Sequence, residues 1–390
     1  MSEIKVNSIK GVGASAAAIT VNNTDGTCTA NITSVNDGQL GNRRININGG
    51  FQVFQRSTSA TSVGSSEGYF APDRYQQKGT GSMRYTASQS TDVPAGYGFS
   101  KSLKYDCTTA SGTVSAGHYV AIEHRIEGQD CQVFCKGTAQ AKEFTISFHV
   151  KSPKTGVHWV EFYDDDNDRH ACKSYTISSA NTWQKISLTF PADTTGAFAN
   201  DNGSSLRIFF WLMAGTTYTG GGTPPSTWAA FTANKRATGQ VNVFDSTSND
   251  FFITGIQLEV GSVATDFEHK SFAVEKRLCM RYFQKYVNIG ATGFVPDNGS
   301  RSYAHVFHFP VEFRATPTLT LTNTGSTSGQ YIGDGDNTVT LSSLNAAAHT
   351  TQIGEMYFNL SGDLTNFRGA YPSSSDSSSR QTTFFFTAEL

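Results

Sequence analysis

The sequence predicts an all-β protein: a jelly-roll sandwich plus a second C-terminal β domain, with one connecting helix and an extended N-terminal segment. Three observations carry this prediction. Apolar and polar residues alternate with period 2 through most of residues 45–267, as half-buried strands require. Gly is abundant (37), Phe (28) and Tyr (15) are frequent, and charged residues make up only 16% of the chain, a mixture that suits short strands joined by polar turns. Helical spacing is convincing in one place alone, residues 271–286.

The elements follow in chain order. Residues 1–45 are rich in Ala, Asn, Thr, Ser and Gly with short β-like pieces (Ile4-Lys5-Val6, Ala18-Ile19-Thr20-Val21), and such a segment buries too little apolar surface to order itself. We expect it to dock onto something else. Strands follow at Leu103/Tyr105/Cys107, Val120/Ile122/His124/Ile126, Phe144/Ile146/Phe148/Val150, Ile186/Leu188/Phe190 and Leu206/Ile208/Phe210/Leu212, each set alternating with polar neighbours. Many antiparallel strands with one dry face imply two packed sheets. Residues 215–240 carry Gly220-Gly221-Gly222 and Pro224-Pro225, and so long a loop is expected to be functional or to pack against a partner. Beyond the strand at 253–260, Ser271 is placed as an N-cap, with Val274, Leu278 and Tyr282 on one face. Strands resume at 306–309, 318–322, 356–360 and 382–390, with turns at Gly325-Ser326, Asp334-Gly335 and 373–379. The expected units are therefore 1–45, 46–268, 269–286 and 287–390.

Charge and apolar runs exclude several classes. A net charge of −2 provides no basic field for nucleic acid. No apolar run approaches the ~18 residues of a membrane span, 208–214 being among the longest, so membrane insertion is not expected. No secretory signal is visible at the start, and six scattered cysteines are expected to be reduced in a cytoplasm. At 37% hydrophobic residues the core is lean, a shortage often met by oligomerisation.

Several stretches resemble the tail-fibre and adhesion (receptor-binding) proteins of tailed bacteriophages, of the marine or cyanophage type. They are Asn46-Ile47-Asn48-Gly49-Gly50-Phe51-Gln52-Val53-Phe54-Gln55-Arg56; Ala71-Pro72-Asp73-Arg74-Tyr75, where the family more often has Trp at the last position; and Trp183-Gln184-Lys185 with Thr189-Phe190-Pro191. The most specific is Ile253-Thr254-Gly255-Ile256-Gln257-Leu258-Glu259-Val260-Gly261, running on through Ala264-Thr265-Asp266-Phe267-Glu268 to Cys279-Met280-Arg281-Tyr282. Glu3-Ile4-Lys5-Val6-Asn7 resembles the starts of such proteins; Phe309-Pro310, Arg314-Ala315-Thr316-Pro317 and Ala388-Glu389-Leu390 resemble their C-terminal β domains. The resemblance implies a virion-attached homotrimer assembled in the host cytoplasm. It would have a carbohydrate-binding-module-like jelly roll, join tail or adaptor proteins through residues 1–45, and bind host cell-surface glycans. A purely structural connector or decoration protein of the virion is the alternative; a glycan hydrolase is a third.

Candidate chemistry begins with aromatics on the wrong side of a strand. Residues 157–164 turn Trp159, Glu161 and Tyr163 away from Val160 and Phe162, and residues 206–213 turn Phe209 and Trp211 away from the dry set. Flat rings beside carboxylates match the apolar faces and hydroxyl edges of sugars. Aromatics also bury themselves, so a second core under the 215–240 loop or a neighbouring subunit is the competing reading, and Trp228 shares that ambiguity, leaning toward packing. Asp164, Asp166 and Asp168 sit in an acidic run that could hold a Ca²⁺, although it lacks the Gly and Glu positions of an EF-hand and a polar hairpin turn explains it equally. Asp250, Glu259 and Glu268 are alternatives. Cys131, Cys135, His170 and Cys172 have the wrong spacing for a zinc site, and His124 is expected in the core. No catalytic motif is found; Glu123 and Glu127, which could in principle serve glycoside hydrolysis, are expected to face solvent.

Overall fold

Alternation becomes strand wherever the two sides of a segment differ in polarity, and twelve such strands build the centre of the chain. The computed structural model describes residues 8–9, 19–21, 28–30, 41–287, 293–294, 301–303, 307–323, 331–333, 338–360, 369–373 and 382–390. The strands are β1 (Ser59–Val63), β2 (Tyr75–Lys78), β3 (Arg84–Ser90), β4 (Ser102–Thr109), β5 (Tyr119–Glu127), β6 (Phe144–Lys151), β7 (Gly156–Asp164), β8 (Arg169–Ile177), β9 (Gln184–Phe190), β10 (Ser204–Ala214), β11 (Ala229–Ala230) and β12 (Asp250–Val260). They form two six-stranded antiparallel sheets: a front sheet in the order β11-β8-β7-β10-β5-β2 and a back sheet in the order β9-β6-β12-β4-β3-β1.

The core lies between them. Val120, Ile122, Val160, Phe162, Ile208 and Phe210 from the front meet Leu103, Tyr105, Ile146, Phe148, Ile253 and Leu258 from the back, all buried. Phe148 and Phe210 pack edge to face, 5.2 Å between centroids, across the layers. Each such side chain contributes about 1.5–3 kcal/mol on leaving water. His124 lies among them as expected, its Nδ1 3.0 Å from the Arg74 carbonyl. Glu123 and Glu127 do not face solvent: both are fully buried, Glu127 because Arg281 (two bonds of 2.8 Å) and the Tyr282 hydroxyl (2.5 Å) donate to it.

Residues 41–45 belong to this body. Glu268 accepts from the backbone N–H groups of Asn42, Arg43 and Arg44 at 2.8–2.9 Å, and Ile45 donates to Leu258. Asn46 then clamps β12 through Ile256 and Leu258, and a Cβ on Gly49 would lie 1.9 Å from the Ile256 carbonyl oxygen, so only glycine allows that approach. Ahead of this body, the strands Ser8–Ile9, Ile19–Val21 and Cys28–Ala30 pair with one another.

The helix is shorter than its sequence spacing suggests. α1 covers Phe272–Met280, with Ser271 capping the Val274 N–H, and the chain then enters β13 (Phe283–Val287). Val274 is exposed, while Glu275 and Cys279 face inward, because the buried Arg44 guanidinium pairs with Glu275. β13 joins β14 (Thr318–Asn323) and β15 (Thr382–Thr387) in the order β13-β15-β14, placing Phe386 edge to face with Phe309. Seven further strands within residues 293–373 form another sheet, including Phe307–His308 and Ile353–Leu360. Ile4-Lys5-Val6, Val306, the turns at Gly325-Ser326 and Asp334-Gly335 and nearly all of 373–379 lie outside the described residues.

His158 of β7 is fully buried, and burial pushes its pKa down from 6.5 to about 4. Between those values the unfolded chain binds a proton that the folded one refuses. The group is therefore neutral to stability above pH 6.5 and becomes destabilising as pH falls toward 4, by up to about 3 kcal/mol. His158→Gln should lose less stability than the parent between pH 7 and pH 4.5, read by urea unfolding at both values; parallel losses would mean that His158 titrates normally.

Candidate functional site

Register lines up the outward residues of the front sheet into rows. Gln76 of β2, Glu123 of β5, Phe209 of β10, Glu161 of β7 and Cys172 of β8 are successive partners in one row. On one side of it run Arg125, Arg207, Tyr163 and His170; on the other, Ala121 pairs with Trp211. Trp159, Glu161, Tyr163, Phe209 and Trp211 thus share one face, as their alternation requires. Trp228 does not join them: its ring packs 6.3 Å from Phe144, and its Nε1 donates to the Pro191 carbonyl at 3.1 Å.

Most of this face is covered. Residues 215–240 fold over it, with a single helical turn at Thr216–Thr219 and β11 at the sheet edge. Trp211 and Glu161 are fully buried, Phe209 and Trp159 nearly so. The seal is chemical as well as steric. Arg236, from the loop, donates through Nε to both Glu161 oxygens (3.0 and 2.9 Å), while its guanidinium carbon lies 4.8 Å from the centre of the Trp211 ring and 5.0 Å from that of Phe209. The Trp211 Nε1 donates to Glu161 at 3.1 Å, Trp159 Nε1 donates to the Thr238 carbonyl at 2.8 Å, and the Cys172 N–H donates to the Pro225 carbonyl at 2.7 Å.

One end stays open. A hollow of about 200 Å³ is lined by Lys78, Tyr119, Tyr163, Arg207, Phe209, Phe231 and Arg236. Its cations are held in place: Arg207 by Asp165 (2.5 Å), Lys78 by Glu67, Arg236 by Glu161. Tyr163 meets Phe231 edge to face at 5.0 Å, and its hydroxyl donates to Asp168 at 2.7 Å. Next to Phe209 in its row, Glu123 lies 3.2 Å from Arg125 and 3.7 Å from Arg207, and neither of its oxygens accepts a hydrogen bond from a described residue. Burial raises its pKa, while Arg125, Lys78 and Arg207 oppose the rise.

The acidic run is spent on the turn that follows β7. Asp164 pairs with Lys136 (2.6 Å) and accepts from the Asp166 and Asn167 N–H groups; Asp166 accepts from Ala199. With Asp168 bound to Tyr163, the carboxylates of Asp164, Asp166 and Asp168 have separate partners and do not converge among the described residues. Glu161, His170 and Cys172 do converge, with candidate ligand atoms within 4.8 Å, but Arg236 and Trp211 occupy the Glu161 oxygens, and Cys131 lies in the main core. The donor set fits an ion pair rather than a metal.

No family model and no curated protein matches the chain. Among solved structures, it is similar to the enzymatically active domain of tailspike protein 4 of bacteriophage CBA120 at 16% identity, covering 56% of this chain and 22% of that one, with a TM-score of 0.29. It is also similar to a family 11 carbohydrate-binding module of a Clostridium thermocellum cellulosomal cellulase (12% identity, 54% and 97% covered, TM-score 0.26) and to a candidate sugar-binding protein from Bacteroides thetaiotaomicron (10%, 56% and 100%, 0.29). These likenesses carry no residue correspondence into this chain.

The sequence singled out neither Arg236 nor Phe231, since the loop has no periodicity to assign its side chains to a face. Lys78, Tyr119 and Arg207 become neighbours only through β2-β5-β10 pairing. Removing Arg236 would leave the buried Glu161 with His170 and the Trp211 Nε1 but without its arginine partner, at a cost of up to about 3–5 kcal/mol. Arg236→Ala should lower the unfolding midpoint, shift tryptophan emission to the red as Trp211 meets water, and expose residues 220–235 to protease. Unchanged emission and cleavage would show that the loop is held by other means.

Proposed function

We propose that the chain is a non-enzymatic adhesin of a tailed-bacteriophage particle, a tail-fibre-type protein that attaches to host-surface glycans through the open end of its front-sheet face. One observation carries the binding reading: at an end left uncovered by the loop, Tyr163 and Phe231 stand beside Lys78, Arg207 and Arg236 around a hollow of about 200 Å³ floored by the nearly buried Phe209. Rings supply platforms for the apolar faces of a sugar, and guanidinium groups already fixed by carboxylates donate N–H bonds to its hydroxyl oxygens without further ordering. The cations are balanced by Glu67, Asp165 and Glu161, which favours neutral saccharides over polyanions. At this hollow the described carboxylates are engaged, Glu161 being held by Arg236 and Glu123 lying between Arg125 and Arg207, which supports binding over hydrolysis.

The virion assignment rests on the motif resemblance. In this reading the chain is a homotrimer, residues ahead of the sandwich join tail or adaptor proteins, and several fibres raise weak single-site affinity through effective concentration.

Two experiments test it. On a glycan array the full chain should retain host-type glycans, and Tyr163→Ala and Phe231→Ala should each weaken binding about tenfold, ~1.4 kcal/mol, with the unfolding midpoint little changed. Retention of no glycan, or variants that bind like the parent, would leave the purely structural virion role. Deletion of residues 1–40, which spares the Arg43 and Arg44 contacts, should yield a soluble trimer that no longer enters particles; normal incorporation would refute the attachment role.

A further inference from the structure

The back sheet carries a larger hollow than the front. β12 shifts register between Thr254 and Gln257, and Gly255 sits in that bulge at φ +65°. A Cβ there would lie 2.5 Å from the Phe99 ring and 3.1 Å from His149 Nδ1, so glycine is what lets both rings close on the bulge. Between the bulge and residues 265–267 is a cavity of about 380 Å³ whose lining includes Tyr97, Ser147, His149, Lys185, Asp266 and Phe267.

His149 is the informative group. It projects from β6 between Lys185 of β9 and Thr254 of β12, and only 4% of it is exposed. Neither ring nitrogen has a hydrogen-bond partner among the described residues, although the Tyr97 ring lies 4.4 Å away. A buried polar group left unpaired is costly, and two on one ring that lines a cavity point to a ligand. Burial, aided by the nearby Lys185 ammonium, pushes the His149 pKa down to about 4, so at neutral pH one nitrogen donates and the other accepts. Around it stand a half-exposed tyrosine ring, a serine hydroxyl, a carboxylate and the Lys185 ammonium, which lies 5.9 Å from the centre of the Tyr97 ring; neither Lys185 nor Asp266 has an ion-pair partner among the described residues. Both signs of charge are present, so the site suits neither a polyanion nor a cation; donors and acceptors beside an aromatic face suit vicinal hydroxyls on a ring.

We propose that this cavity is a second saccharide site, independent of the front-sheet hollow, which takes one pyranose ring with its apolar face on Tyr97 and its hydroxyls bonded by His149, Lys185 and Asp266. The full chain, ¹⁵N-labelled at histidine, is titrated with methyl β-D-galactopyranoside, methyl β-D-glucopyranoside and methyl α-D-mannopyranoside in turn. At least one glycoside should shift the His149 ring resonances, assigned with His149→Gln, and Tyr97→Ala or Lys185→Ala should weaken that binding about tenfold. Phe231→Ala should leave it unchanged, which separates this site from the one proposed on the front sheet. Three glycosides that leave His149 unmoved, a Tyr97→Ala variant that binds as tightly as the parent, or equal losses in Phe231→Ala would each overturn the proposal.

Discussion

One buried carboxylate decides which part of the front sheet meets solvent. Glu161 projects outward from β7, where a charge would ordinarily be hydrated, yet it is fully buried under the 215–240 loop. Burying a carboxylate is costly unless it is paired and hydrogen-bonded; the sheet itself supplies His170 Nδ1 and Trp211 Nε1, each 3.1 Å from Glu161, and the loop brings the arginine counter-charge, Arg236. The guanidinium spans Glu161 on its edge and Trp211 and Phe209 on its face, joining ion pairing to cation–π contact in one side chain. With the Trp159–Thr238 and Cys172–Pro225 bonds, the pair ties the loop to the sheet, so that the face is covered around Trp211 and Trp159 and left open around Tyr163 and Phe231.

Alternation in the sequence assigns side chains to faces, and it did so correctly for Trp159, Glu161, Tyr163, Phe209 and Trp211. It says nothing about what covers a face. A loop without periodicity covers this one, so that the aromatics around Trp211 form the second core that a covering 215–240 loop implies, while nothing in the sequence says which end the loop leaves open. Glu123 and Glu127 mislead for the same reason: alternation places them opposite Ile122 and Ile126, but their burial depends on Arg125, Arg207 and Arg281, two of which come from distant segments. The helix shows a third case. Its spacing suggests Val274 and Leu278 as the inward face, whereas Arg44 draws Glu275 inward across more than 200 residues of sequence.

The motifs shared in appearance with phage adhesins mostly do structural work in this chain. Asn46 and Gly49 lock onto Ile256 and Leu258 of β12, bringing the first motif against the last. Arg74, buried, pairs with Glu389 near the C-terminus, donates to the Arg125 carbonyl and stacks 3.4 Å from the centre of the Tyr282 ring. Tyr282 and Arg281 in turn bind Glu127. Segments far apart in sequence thus share one junction between the sandwich and the β13-β15-β14 sheet, and the sequence gives no sign of that convergence because each motif reads as local. Motif residues that hold such a junction constrain architecture first. Gly255 is the exception, since the bulge that it permits also shapes a cavity.

If both proposed sites take sugars, their placement limits how they can cooperate. Packed sheets lie about 10 Å apart, and the two hollows open on outer faces that point away from each other. One short glycan cannot bridge them around the body of a single subunit, so within a subunit they would bind as independent weak sites. In the proposed homotrimer, a gain in affinity would come from sites on neighbouring subunits that face the same way, where effective concentration replaces contact area. On that reasoning a lean sandwich with shallow sites is a poor receptor as a monomer and a sound one as part of a repeated array.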